Sequence, residues 1–104
     1  MKRGILTSIT VPAKESDLAT IHSIWESTYG SCPFVHPLSP GVLPETAHVV
    51  GTNRIDIAAN YDPRTDNFIL NSAEDNLLKG AGGQAVQIMN LWFDLPETLG
   101  LLTG

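Results

Sequence analysis

One cysteine among 104 residues leaves no intramolecular disulfide framework and no thiolate-rich zinc site. A reducing, cytoplasmic compartment is the expectation. Cations are scarce as well: six Lys plus Arg stand against eleven Asp plus Glu, for a formal net charge of −5. Nonspecific nucleic-acid binding and docking on anionic membranes both need clustered positive charge to neutralise phosphate, so neither partner is expected. No apolar run approaches the ~20 residues of a membrane helix, and the N-terminus lacks the apolar core of a signal peptide. Neither G-x-G-x-x-G nor a P-loop occurs, so the chain carries no freestanding nucleotide cradle. Apolar residues make up 42% and charged residues only 16%, a low share for a soluble domain. One domain with a modest core is what such a chain can build.

Local patterns predict an α+β fold with a largely antiparallel or mixed sheet and two main helices. Residues 5–11 place Ile5, Thr7, Ile9 and Val11 on one strand face, and Pro12, which has no N–H, should end it. Leu18, Ile21, Trp25 and Tyr29 recur at helical spacing, which predicts a helix over 16–29 with Ser16 as N-cap and Gly30 just past its end. Four prolines between Ser31 and Glu45 admit only short extended pieces. Residues 47–51 and 54–61 read as strands. The Asp62-Pro63-Arg64-Thr65-Asp66-Asn67 turn then leads into a return strand at Phe68. A last helix is expected from Asn76 to Phe93, with two adjacent apolar stripes. One holds Ala81, Ala85, Ile88 and Trp92, the other Gly82, Val86, Met89 and Phe93. A helix apolar around so much of its girth needs cover on more than one side, more than a small domain provides.

Candidate chemistry is thin. Cys32 and His36 suggest a nucleophile with a base, but a thiolate needs positive surroundings, and no Lys or Arg stands between Lys14 and Arg54. Cys32 is read as a small apolar filler. His22, His36 and His48 match no zinc spacing and have no carboxylate cluster beside them, so no metal site is expected. Asp62 and Asp66 are turn residues. The informative stretch is Asp75 to Gln87, where Gly80, Gly82 and Gly83 crowd the start of an apolar helix. They sacrifice roughly 2–3 kcal/mol of helix propensity. Tight packing explains such crowding, and so does close approach of another backbone or of a cofactor to a helix start.

The run DNLLKGAGGQAVQIMN, Asp75 to Asn90, closely resembles the signature near the C-terminus of N-acetyl-gamma-glutamyl-phosphate reductases. MKRGIL at Met1 to Leu6, PETAHVVGTN at Pro44 to Asn53 and LPETLGL at Leu95 to Leu101 resemble three further blocks of that family, in the same order. Together the four blocks cover essentially the whole chain.

The resemblance implies the C-terminal part of an oxidoreductase of arginine biosynthesis that reduces an acyl phosphate to N-acetylglutamate semialdehyde with NADPH. It implies a distal piece of a domain like the C-terminal one of glyceraldehyde-3-phosphate dehydrogenase at residues 1–75. Residues 76–104 would form a helix and tail that pack on an N-terminal NADP-binding domain. The family's nucleophilic Cys, in its G-C-Y context, its His and its Rossmann unit are expected to have no counterpart in these 104 residues. The chain alone is therefore expected to hold no catalytic residue, to bind no NADP(H) and to be inactive. By the same resemblance the Asn76 amide reaches the nicotinamide carboxamide and Gly80 lets backbone approach the ring. Arg3 and Lys79 become candidates for acyl-phosphate binding, each weighed against a surface ion pair. Homo-oligomerisation through the sheet and the last helix is expected. The alternative is a noncatalytic dimerisation or assembly module.

Overall fold

A computed structural model describes residues 3–102 of the chain. Strands β1 (Ile5–Pro12), β2 (Val35–Pro37), β3 (Ile55–Asp62) and β4 (Asn67–Glu74) form one sheet in the order β1-β4-β3-β2. Pairs β1·β4 and β4·β3 are antiparallel and β2·β3 is parallel, so the sheet is mixed, as expected. The predicted hairpin is β3–β4. Its turn is held by the Asp62 carboxylate, which accepts from the Arg64 N–H at 3.0 Å and the Thr65 hydroxyl at 2.9 Å. Pro12 closes β1 opposite Asn67, on an edge strand where its absent N–H costs no ladder bond.

Helix α1 (Leu18–Tyr29) follows a short 3₁₀ turn, Glu15–Asp17. The predicted stripe is right: Leu18, Ile21, Trp25 and Tyr29 are its half-buried positions, joined by His22. The start differs. Ser16 lies inside the 3₁₀ turn, and it is the Asp17 carboxylate that caps by accepting the Lys14 N–H at 3.1 Å. Gly30 is right-handed at φ −59°, held by its N–H to the Glu26 carbonyl at 2.8 Å.

Strand alternation puts Ile9, Leu70 and Ala59 on one sheet face and Ser8, Asn71 and Ala58 on the other. Helix α1 covers the β3 side of the first face, where the His22 ring bonds the Ala59 carbonyl at 3.0 Å. On the second face, the loop after β2 is tied down by the Gly41 N–H to Asn60 Oδ1 at 2.8 Å. The core is small: Phe34, Val49, Phe68 and three alanines, 58, 59 and 73, are its buried apolar residues. Every residue of β1 is exposed on both faces, with Leu6 and Ile9 each 53% accessible.

Two further sequence expectations fail. Residues 47–51 are not a strand: Thr46–Val49 form one helical turn, α2, closed by the Val50 N–H to the Thr46 carbonyl at 3.0 Å. The β-branched pair Val49-Val50 suggests extended backbone, but the chain must reverse at Gly51, whose φ of +85° ends the turn. The last helix also does not begin at Asn76. A π-turn over Leu78–Gly82 precedes α3, which spans Gly83–Trp92.

The molecule is a plate of 45 × 32 × 18 Å with a radius of gyration of 14.8 Å, wider than the ~13 Å of a compact 100-residue chain. Its accessible surface is 6464 Å², where a compact monomer of this mass exposes roughly 5,700 Å². Exposed apolar side chains of β1 and α3 contribute to that surface, and α3 shows why. It buries Gly83, Gln87 and Asn90 and exposes Ile88, Met89, Leu91 and Trp92. Its polar side faces the loop at Asn53, the π-turn and the C-terminal tail, and its apolar side faces outward, with Trp92 82% accessible.

Candidate cofactor-facing site

Asp75 anchors the corner where β4 turns into the π-turn. Its side chain is fully buried and accepts four hydrogen bonds. Oδ1 takes the Leu77 and Leu78 N–H groups at 2.8 and 3.3 Å, capping the turn. Oδ2 takes the Gly51 N–H at 2.8 Å and the Arg3 guanidinium at 2.7 Å. Burial alone pushes its carboxyl pKa up. The Arg3 guanidinium and the N–H groups of Gly51 and Leu77 outweigh burial and lower it from 3.8 to about 2. The helical turn of α2 is what delivers the Gly51 N–H to this carboxylate.

Asn76 follows. Its Oδ1 accepts the Gly4 N–H at 2.8 Å, which leaves the Nδ2 hydrogens as the donors of the amide. Gly4 holds φ +105°, and a Cβ there would lie 3.0 Å from the Thr46 side chain, so glycine permits this bond.

Lys79 is half-buried and is not the surface ion pair weighed for it. Its ammonium donates to Gln84 Oε1 at 2.5 Å and Gln87 Oε1 at 2.8 Å, and lies 6.0 Å from the Phe34 ring centre. Among the described residues no carboxylate comes within ion-pair distance of it. Desolvation lowers its pKa, and the charges of Glu74 and Glu97 resist. Arg3, by contrast, does form an ion pair, and with a buried partner.

The three crowded glycines divide. A Cβ on Gly83 would lie 2.3 Å from Asn53 Oδ1 and 2.7 Å from the Leu78 carbonyl, so internal packing requires that glycine. A Cβ on Gly80 or Gly82 would meet nothing nearer than 3.6 Å. Packing within the described chain does not explain those two.

Sequence reasoning overlooked a polar network behind the turn. Buried Asn53 donates to Gln87 Oε1 at 2.9 Å, and Gln87 Nε2 donates to Glu97 at 2.7 Å. Asn90 Nδ2 donates to the Glu97 and Leu99 carbonyls at 3.0 and 2.9 Å, and the Asn53 N–H reaches the Leu102 carbonyl at 2.8 Å. The available signal was Gly83, Gln87 and Asn90 at i, i+4 and i+7, a polar stripe on an otherwise apolar helix.

The remaining candidates have structural partners. Cys32 is half-buried, its Sγ 3.8 Å from the Thr28 carbonyl, as befits a filler at the end of α1. Exposed His48 lies 3.6 Å from Glu45. Among the described residues no three His, Cys, Asp or Glu side chains are grouped to hold a metal, and no helix is long and apolar enough to cross a membrane.

A mixed sheet with one helix on its face and a second helix turned apolar side outward describes a module built for assembly. The family model for the semialdehyde dehydrogenase dimerisation domain matches residues 1–76, and the chain belongs to that family. More specific kinship comes from whole enzymes named N-acetyl-gamma-glutamyl-phosphate reductase. That of Desulforudis audaxviator is 50% identical over 103 residues, that of Geobacter sp. strain M21 52% over 102, and that of Brevibacillus brevis 46% over 102. These alignments cover 97–98% of this chain and 30% of each relative. The chain therefore spans about 30% of the length of the curated relatives it matches.

Proposed function

We propose that this chain is the C-terminal part of an N-acetyl-gamma-glutamyl-phosphate reductase of arginine biosynthesis, in the cytoplasm, and works by pairing subunits and closing a cofactor site. The observation that carries this reading is the orientation of α3. A helix that buries glutamine and asparagine while exposing Ile88, Met89, Trp92 and Phe93 is built to be covered by protein on its apolar side. The relatives are about three times as long, which leaves room for such a cover, and a nucleotide-binding domain is the one the resemblance implies. Residues 1–75 then form the assembly part and 76–104 the part that docks.

The residues of the turn fit a nicotinamide. The Asn76 amide keeps its Nδ2 hydrogens for a carboxamide oxygen, and a Cβ on exposed Gly80 would meet nothing nearer than the Asp75 carbonyl and the Glu74 carboxylate at 3.6 Å. NADPH, when bound, supplies the hydride that reduces the acyl group. Asn76 orients the nicotinamide carboxamide, Gly80 lets the ring approach, and Lys79 holds a positive charge beside the turn without a contact carboxylate. Arg3 contributes through Asp75, fixing the corner from which Asn76 projects. A role for Arg3 or Lys79 toward the acyl phosphate extends this reading. No side chain here is assigned as nucleophile.

The test is mixing. The purified chain should show no NADPH oxidation with N-acetylglutamyl phosphate. Activity should appear when the chain is combined with the N-terminal two thirds of one of the reductases named above. Turnover by the chain alone that disappears in Cys32→Ala would overturn the reading. The alternative, a noncatalytic assembly module, is favoured if the chain binds those N-terminal two thirds and activity does not return.

A further inference from the structure

The Gln87 side chain joins three separate segments. Its Oε1 accepts from Lys79 Nζ in the π-turn and from Asn53 Nδ2 in the loop before β3, and its Nε2 donates to Glu97 in the tail. The amide therefore lies between an ammonium and a carboxylate, with its oxygen toward the cation and its nitrogen toward the anion. That orientation is set by charge at both ends, and hydrogen bonds aligned this way strengthen one another in a low-dielectric site. The tail has little else to hold it. Leu95, Leu99 and Leu102 are exposed and Leu101 is only half-buried, so polar bonds to Asn90, Gln87 and Asn53 fasten it more than apolar burial does. The turn on the other side is irregular, with π-type bonds over Leu78–Gly82 and two glycines that packing does not require. A segment of that kind takes its position from what grips it.

We propose that Gln87 is a positioning residue, a latch through which the C-terminal tail sets the π-turn that carries Lys79 and follows Asn76. The latch explains a glutamine at a buried helix position: glutamate there would face Glu97, and a shorter amide would not span from Lys79 to the tail. It also gives the L-P-E-T segment a task, since Glu97 is the residue that completes the relay. Its significance for a cofactor rests on the reading of the turn given above, but the coupling itself does not.

The experiment uses the 104-residue chain and amide hydrogen exchange read by NMR. The reporters are the Gly80 and Gly82 N–H groups, which bond the Asp75 and Leu77 carbonyls at 3.0 and 3.2 Å. Glu97→Ala should speed their exchange about tenfold, the equivalent of ~1.4 kcal/mol, while amides in the β3–β4 ladder stay within about twofold. Glu97→Gln, which can still accept from the Gln87 amide, should restore protection to within about threefold of the parent. Three results would overturn the proposal: faster exchange confined to tail amides such as Leu99 and Leu101, equal acceleration across the sheet, or Glu97→Gln behaving like Glu97→Ala. The readout involves no cofactor. Unchanged NADPH affinity in an Asn76→Ala variant of the mixed enzyme would therefore remove the cofactor reading and leave the latch standing.

Discussion

Replacing Gly80 and Gly83 separately by alanine separates packing from function within four residues of chain. Both are glycines at the start of a helix, and by propensity alone each alanine should stabilise the fold by about 0.4–1 kcal/mol. At Gly80 nothing opposes that gain, because the nearest atoms to a new Cβ lie 3.6 Å away. At Gly83 the new Cβ would lie 2.3 Å from Asn53 Oδ1 and 2.7 Å from the Leu78 carbonyl carbon and oxygen. Asn53 is 1% exposed and tethered to Gln87, and the other atoms are backbone, so neither neighbour yields cheaply. Overpacking of that kind costs about 1–3 kcal/mol, which leaves Gly83→Ala destabilised by about 1.3 kcal/mol at the middle of the two ranges. Urea unfolding followed by far-UV circular dichroism should move the midpoint up for Gly80→Ala and down for Gly83→Ala, each by a few tenths of a molar to about 1 M. Changes of the same sign would refute the packing argument. In the mixed enzyme, Gly80→Ala should weaken NADPH binding although it strengthens the fold.

Acid should act on Asp75. A folded pKa of about 2 against the usual 3.8 stabilises the fold fully above pH 5, and that contribution fades as pH falls from about 4 toward 2. It amounts to about 2 kcal/mol. Asp75→Asn should remove this step from a plot of unfolding free energy against pH, and a step that persists would refute the assignment. Light scattering at micromolar concentration should show a dimer or larger species, given the exposed apolar side chains of β1 and α3. A clean monomer would contradict this. Ile9→Glu, at 53% exposure on the open part of the sheet, should shift that equilibrium toward monomer without lowering stability by more than about 0.5 kcal/mol.

Local chemistry made several elements readable in advance. The β3–β4 hairpin follows from a turn dense in aspartate, proline and asparagine, and α1 from a stripe at helical spacing. The motif Asp75 to Gln87 marked the candidate site, but the partners of that site were out of reach. Asn53 lies 34 residues from Gln87 and Arg3 lies 72 from Asp75, and nothing in either neighbourhood announces the pairing. The turn α2 reads as a strand in the sequence because Val49 and Val50 carry strand propensity. What decided the matter was the reversal at Gly51 and the demand of a buried carboxylate for its N–H.

The scarcity of charge and the surplus of apolar residues in the sequence determined that this small chain would have more apolar side chains than its own core could take. The sequence alone also located the helix where that surplus is greatest. Only the tertiary structure decided which side of α3 would turn inward. The answer inverts the usual order, because Asn53, Lys79 and the tail carbonyls form a polar seat that Gln87 and Asn90 satisfy. A helix must bury its hydrogen-bonding side chains where partners exist, and those partners come from segments distant in the chain. Its apolar side is thereby left for another protein surface to cover.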